Sequence, residues 1–275
     1  MSVSITGLPS TVESPLWVYD IALNSVLSRT AKPPQVVELE VRFDAGASPV
    51  RDLRVDLDGS GVITPIGATE VAKVRAGRHA RVKFRWAVPI RTTPPPYELP
   101  LTATASYRSG GAPKTITATA TTSVEPPDPP TEDSYVSDLP FNYLTNGYGT
   151  VHRDQALAGY GPDDAQPMIM NSVTYAKGIG VNTVSDVGVH LGGNCRTFSA
   201  VIGVDDGAGD AASVVFRVVG DGRKLYESGV MRPDSTPESI KVDVRGVNQL
   251  DLIVDDAGDG HGDDHGDWAE ARLLV

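Results

Sequence analysis

The residues best suited to chemistry in this sequence are aspartates, gathered into two glycine-rich runs. The first is Val204-Asp205-Asp206-Gly207-Ala208-Gly209-Asp210, and the second, from Asp255 to Trp268, places six aspartates between positions 255 and 267. Like charges so crowded repel one another, and a hard cation is one way to offset that. Calcium takes about six to eight oxygens from carboxylates and carbonyls, and glycines let carbonyls turn inward. The spacing therefore predicts a structural calcium, with Asp256, Asp259, Asp264 and Asp267 as candidate ligands. It is not an EF-hand, because no Glu stands at the twelfth position. His261 and His265 are four apart, as zinc ligands on a helix would be, but Gly262 and Gly266 oppose a helix there. A pair of aspartates could also serve glycoside hydrolysis, yet no apolar pocket singles one out as the acid. There is no Gly-x-Ser-x-Gly elbow, phosphate loop or dinucleotide fingerprint. The single Cys195 excludes an intrachain disulfide and a multi-cysteine metal site.

The elements that must position these residues read as strands. Val37, Leu39, Val41 and Phe43 alternate with Glu38, Glu40 and Arg42, as a half-buried strand does. Leu53, Val55 and Leu57 repeat the pattern, followed by the series Val82 to Val88, Leu99 to Tyr107 and the Thr-rich Ile116 to Val124. Trp17 to Leu23 also alternates. Roughly seven strands in about 120 residues suggest an immunoglobulin-like sandwich. In the second half, strands are expected at 168–169, 187–191, 198–204, 214–219, 224–227, 240–244, 250–254 and 271–275, with Gly220-Asp221-Gly222 as a hairpin turn. No amphipathic helix longer than two turns is visible. Eight or more strands within about 140 residues suggest a jelly roll, so the fold class is all-β, an Ig-like β-sandwich followed by a jelly-roll β-sandwich.

Charge divides the chain at the same place. Residues 1–124 hold 14 Lys and Arg against 10 acids, residues 125–133 hold four acids and no base, and residues 134–275 hold 10 bases against 21 acids. The middle stretch, EPPDPPTED, favours extended polyproline II, so domains are expected at 1–124 and 134–275 with a semi-rigid linker at 125–133. A net charge of −11 repels phosphate backbones, so nucleic acid is not an expected partner. No apolar run reaches the roughly 18 residues a membrane helix needs, so no membrane partner is expected. Residues 1–9 lack a basic and an apolar region, so no signal peptide is read. The expectation is a cytoplasmic chain or an excised piece of a longer secreted precursor.

The second half resembles a known family through many short blocks in order. These are Tyr135 to Pro140, Thr145-Asn146-Gly147-Tyr148-Gly149, Arg153-Asp154, Tyr175 to Val181, Leu191 to Cys195, Gly203 to Asp206, Leu225 to Val230, Asp256 to Gly260, and Asp264 to Ala269. They resemble the NPCBM family, also called carbohydrate-binding module family 51. The resemblance implies a galactose-binding-like β-sandwich that reads sugars, often galactose-containing glycans. It also implies a non-catalytic accessory role: the region would target a secreted bacterial glycoside hydrolase, whose catalytic domain lies in the same parent chain, to a neutral glycan. The first half is similar, by strand rhythm and position, to the Ig-like domain that precedes this module in such enzymes. Asn146, Tyr148, Asp154, Asn182, Asp206 and His265 are the candidate sugar-binding residues, with Tyr148 as the stacking ring and the rest supplying directional hydrogen bonds. This chain has Asn182 where the family commonly has His, and Gly207 where it commonly has Glu. The alternative reading is therefore a structural or interaction module in which sugar binding has decayed.

Overall fold

The computed structural model describes residues 1–12, 18–20, 25–27, 35–89, 95–157, 165–260 and 262–275. It divides into two compact units, one of residues 1–15, 33–91 and 95–125, the other of residues 16–32, 92–94 and 126–275. Both are built from strands.

The first unit has a four-stranded sheet, in the order Ser2–Thr6, Val36–Asp44, His79–Ala87, Val62–Ile66. Its five-stranded sheet runs Thr11–Val12, Ala112–Val124, Tyr97–Ser109, Val50–Gly59, Glu70–Val74. The alternation seen in the sequence is the alternation of burial: Leu39, Val41 and Phe43 are buried with Leu53, Val55, Phe84, Trp86 and Leu101 in one shared core. The Trp86 indole N–H donates to the Ser60 carbonyl at 2.7 Å, so burying the ring leaves no orphaned donor. On the wet face, Arg81 pairs with Glu40 and Arg85 with Glu38. Such exposed pairs contribute about 0–1 kcal/mol each.

The second unit is a β-sandwich with two larger sheets. One runs His152–Arg153, Gly178–Asn182, His265–Leu274, Thr197–Val204, Glu238–Asp243, with Ser134–Tyr135 also paired to the 265–274 strand. The other runs Arg223–Glu227, Val215–Gly220, Gln249–Asp255, Ser185–His190, Tyr143–Asn146, Val18–Asp20, Ser25–Leu27. Their inner faces meet at Trp268, which lies edge-on to Phe216 at 4.9 Å and to Phe198 at 5.9 Å. A separate hairpin, Met168–Met170 with Val173–Tyr175, carries two methionines that form a small satellite core with Ala156 and Ala269.

Two features differ from the sequence reading. Residues 16–32 belong to the second unit rather than to the first, because the Val18–Asp20 strand pairs in parallel with Tyr143–Asn146 (Tyr19 opposite Thr145). Residues 17 and 21–23 of the strand expected there lie outside the described residues. The proline-rich stretch, expected as a spacer, lies along the second unit. His190 donates to the Pro127 carbonyl at 2.8 Å, Asn194 donates to the Pro130 carbonyl at 3.2 Å, and Val275 N–H donates to Asp133 at 3.0 Å. Prolines lack an N–H, but their carbonyls remain free acceptors for such donors.

Candidate functional site

One end of the second sandwich is assembled from four chain segments that meet through backbone bonds. Asn182 lies opposite His265 in the ladder between the 178–182 and 265–274 strands. Gly147 N–H donates to the Asn182 carbonyl, Asp205 N–H donates to the His265 carbonyl, and Thr183 N–H donates to the Asp264 carbonyl. Asn146, Tyr148, Asn182, Asp205, Asp206, Asp264 and His265 therefore share one end.

Asn146 is wholly buried and its amide is spent on backbone. The NH2 donates to the Tyr148 carbonyl at 2.7 Å and to the Gly149 carbonyl at 3.2 Å, while Oδ1 accepts from Asn182 N–H at 2.9 Å. It shapes the loop and offers nothing outward. Gly147 has to be glycine, because a Cβ there would lie 1.5 Å from the Thr183 carbonyl oxygen. This buried amide with its close-approach glycine is the physical content of the Asn-Gly-Tyr-Gly block. Tyr148, half-buried, is what the loop holds at the surface.

Among the polar atoms enclosed without a partner at this end are Asn182 Oδ1 and His265 Nδ1. Burial pushes the His265 pKa down, which favours the neutral ring, against the pull of Asp205 and Asp263. A neutral imidazole both donates and accepts, as does an amide.

Two of the three aspartates of the first run staple the methionine hairpin. Asp205 accepts from Ile169 N–H at 3.0 Å and from Gly207 N–H at 2.8 Å. Asp206 accepts from Asn171 N–H at 2.7 Å and Ser172 N–H at 2.9 Å, fixing a turn in which both residues have positive φ. Asp206 remains exposed, so its carboxylate faces both the turn and solvent.

Asp154, expected with the others, lies elsewhere. Its N–H donates to the Gly178 carbonyl, at the far end of the strand that ends in Asn182, about 13 Å away by strand rise. Its carboxylate accepts from Lys177 at 2.7 Å and Gly178 N–H at 3.1 Å, and Lys177 also binds Asp138. This ion pair anchors the loops that carry Asp138, Asp154 and Lys177.

Of the four expected calcium ligands, Asp256 and Asp259 lie near enough to Asp264 to act on its carboxyl electrostatically, and Asp259 and Asp264 share Ser213 as a donor. Asp264, almost fully buried, accepts from Ser213 N–H at 2.9 Å and from the Thr183 hydroxyl at 3.1 Å. Asp259 takes the Ser213 hydroxyl, and Asp256 closes its own turn by accepting from Gly258 N–H at 2.9 Å. Asp267 is fully buried beside Asp205, and burial holds its carboxyl well above the usual range. Among the described residues no group of three or more Asp, Glu, His or Cys could hold a metal ion. His261 lies outside them. Amide and hydroxyl donors meet Asp256, Asp259 and Asp264 in this structure.

Residues 132–274 match the NPCBM/NEW2 domain family. The chain belongs to that family. It is a family of non-catalytic binding modules, and a sugar-binding accessory role follows for this chain. A Renibacterium salmoninarum protein named for endo-alpha-N-acetylgalactosaminidase activity is 33% identical over 233 residues, 83% of this chain and 15% of the relative. Alpha-1,3-galactosidase B of Akkermansia muciniphila is 35% identical over 100 residues, 35% of this chain and 12% of the relative. The chain thus spans only a small part of the curated relatives it matches. Among solved structures, a family 51 carbohydrate-binding module from a Clostridium perfringens GH95 protein, in complex with methyl-galactose, is 34% identical. The match covers 52% of this chain and 99% of that one, with a TM-score of 0.47.

Proposed function

We propose that this chain is the non-catalytic carbohydrate-binding region of a secreted glycoside hydrolase, holding the catalytic domain of the same parent chain close to neutral, galactose-containing glycans. The observation that carries this reading is the pair Asn182 and His265, opposite each other at the loop end, each with an enclosed polar atom that lacks a partner. Such atoms cost free energy unless a ligand or water meets them, and a sugar hydroxyl donates and accepts in the way both require. Both curated relatives are named for enzymes acting on galactose-type sugars, which supports the choice of glycan. In this reading Tyr148 lies against the apolar face of the sugar, Asp206 accepts from a hydroxyl, and residues 1–124 act as an Ig-like spacer domain. Affinity for one sugar is modest, with Kd on the order of 0.1–1 mM, and tethering raises the effective concentration of substrate at the enzyme.

Titration calorimetry with methyl-galactose and a glycan array test this. Tyr148→Ala should weaken binding by about 1 kcal/mol, roughly fivefold, with an unchanged melting temperature. A second reading, an interaction module with decayed sugar binding, is favoured by Asn182 and Gly207 standing where the family commonly has His and Glu. Silence across every neutral glycan on the array would select it.

A further inference from the structure

At the opposite end of the same sheet from the Asn182–His265 pair lies a patch of the other charge. The 197–204 strand connects the two ends, and its seven steps span about 23 Å. Residues 134–275 contain ten Lys and Arg, and four of them collect here: Arg196, Lys241, Arg245 and Arg272. An open depression of about 310 Å³ is lined by Arg196, Thr197, Lys241, Val242, Asp243 and Arg245. Beside it, Ser199 lies opposite Lys241 on one neighbouring strand and opposite Arg272 on the other. Directly opposed residues point to the same face, so this row reads cation, hydroxyl, cation, with about 4.8 Å between strands.

The acids nearby are already engaged. Asp243 is locked by Arg245, which holds its carboxyl down at about 2, and Asp133 accepts from Val275 N–H. Arg196 and Lys241 are exposed, and among the described residues neither has an ion-pair partner. A module with 21 acids against 10 bases thus keeps two unopposed cations beside a concavity edged with hydroxyls.

We propose that this end is a second binding site, for the oxyanion substituent of a glycan, a sulfate ester or a carboxylate. Arg196 and Lys241 meet the charge, and Thr197 and Ser199 meet the adjoining sugar hydroxyls, since a serine or threonine hydroxyl both donates and accepts. Those interleaved hydroxyls favour a glycan over an acidic peptide. The site is separate from the neutral-sugar end, so the two can fail independently.

Calorimetry on the full 275-residue chain tests the proposal with a sulfated galacto-oligosaccharide, a uronate-bearing one, the unsubstituted oligosaccharide, sodium sulfate and hexaglutamate. At least one of the anionic oligosaccharides should bind tenfold or more tightly than the unsubstituted one, and which one does so identifies the oxyanion. Added salt should erase that difference. The double variant Arg196→Glu/Lys241→Glu should lose it while keeping its melting temperature. Arg223→Glu, an exposed cation on the other sheet, should retain it. Equal binding of all three oligosaccharides, or an anionic preference that survives in the double variant, would overturn the proposal. So would sodium sulfate or hexaglutamate binding as tightly as the anionic glycan.

Discussion

Asp186 lies on the 185–190 strand with one carboxyl oxygen enclosed and unpartnered, and burial, reinforced by Asp251, pushes its pKa up to about 7. The unfolded chain releases this proton near pH 4 and the folded one near pH 7, so over that window the folded state binds more protons. The contribution of Asp186 to stability falls as pH rises from 4 to 7 and stays low above. Asp186→Asn should therefore raise stability at pH 8, by an amount on the order of 2–4 kcal/mol, and change it little at pH 4. Thermal melts of both proteins at the two pH values check this; an equal shift at both would remove Asp186 as the cause. At the residue scale the sequence showed where the unusual aspartates are, but not what meets them. Asp205 has one local donor, Gly207, but the other donors to Asp264, Asp205 and Asp206 are Ser213, Thr183, Ile169, Asn171 and Ser172, each at least 34 positions away in the chain. Spacing along the chain carries no information about partners brought in by topology, and a cation was the offset that the local run alone could suggest.

Among the elements, strands with one dry and one wet face were legible, and strands buried on both faces were not. Gly178–Asn182 is buried at every position, so it has no period-two pattern to read. The last strand was expected at 271–275 but begins at His265, because Gly266 and Asp267 have loop composition while Asp267 is fully buried. That hairpin depends on Asp206. Asp206→Ala should raise hydrogen exchange at the Asn171 and Ser172 amides at least tenfold while leaving amides of the 249–255 strand unchanged. Gly147→Ala forces a methyl into the Thr183 carbonyl and should cost about 3 kcal/mol in stability. Sugar binding should be lost with it as the Asn146–Tyr148 loop is displaced. Differential melting with and without methyl-galactose reads both effects.

For the whole molecule, composition marked a join near 125–133, and the compact units divide after Glu125. What composition could not mark is that residues 16–32 complete the second unit, since a strand carries no sign of which distant edge it will pair with. The charge asymmetry was visible as a total, whereas its reversal at Arg196, Lys241 and Arg272 required the sheet register. The donor pairings of Asp256, Asp259 and Asp264 predict that excess chelator leaves the melting temperature of the whole chain within about 1 °C. A fall of several degrees, reversed by added calcium, would restore a bound ion to the second unit.

The pairing of Tyr19 with Thr145 also sets an order of events during synthesis. The Val18–Asp20 strand leaves the ribosome early, and the edge it joins follows more than a hundred residues later. At about 5–20 residues per second the wait is roughly 6–25 s. Through that interval an apolar, strand-forming stretch is present without its partner, as the first unit's sheets close around their own local pairings. Long-range parallel pairing is slow to nucleate, so this strand should be the last to dock. A translation pause or a holding chaperone acting within that interval would then set the yield of the sugar-binding unit, although neither touches its binding loops.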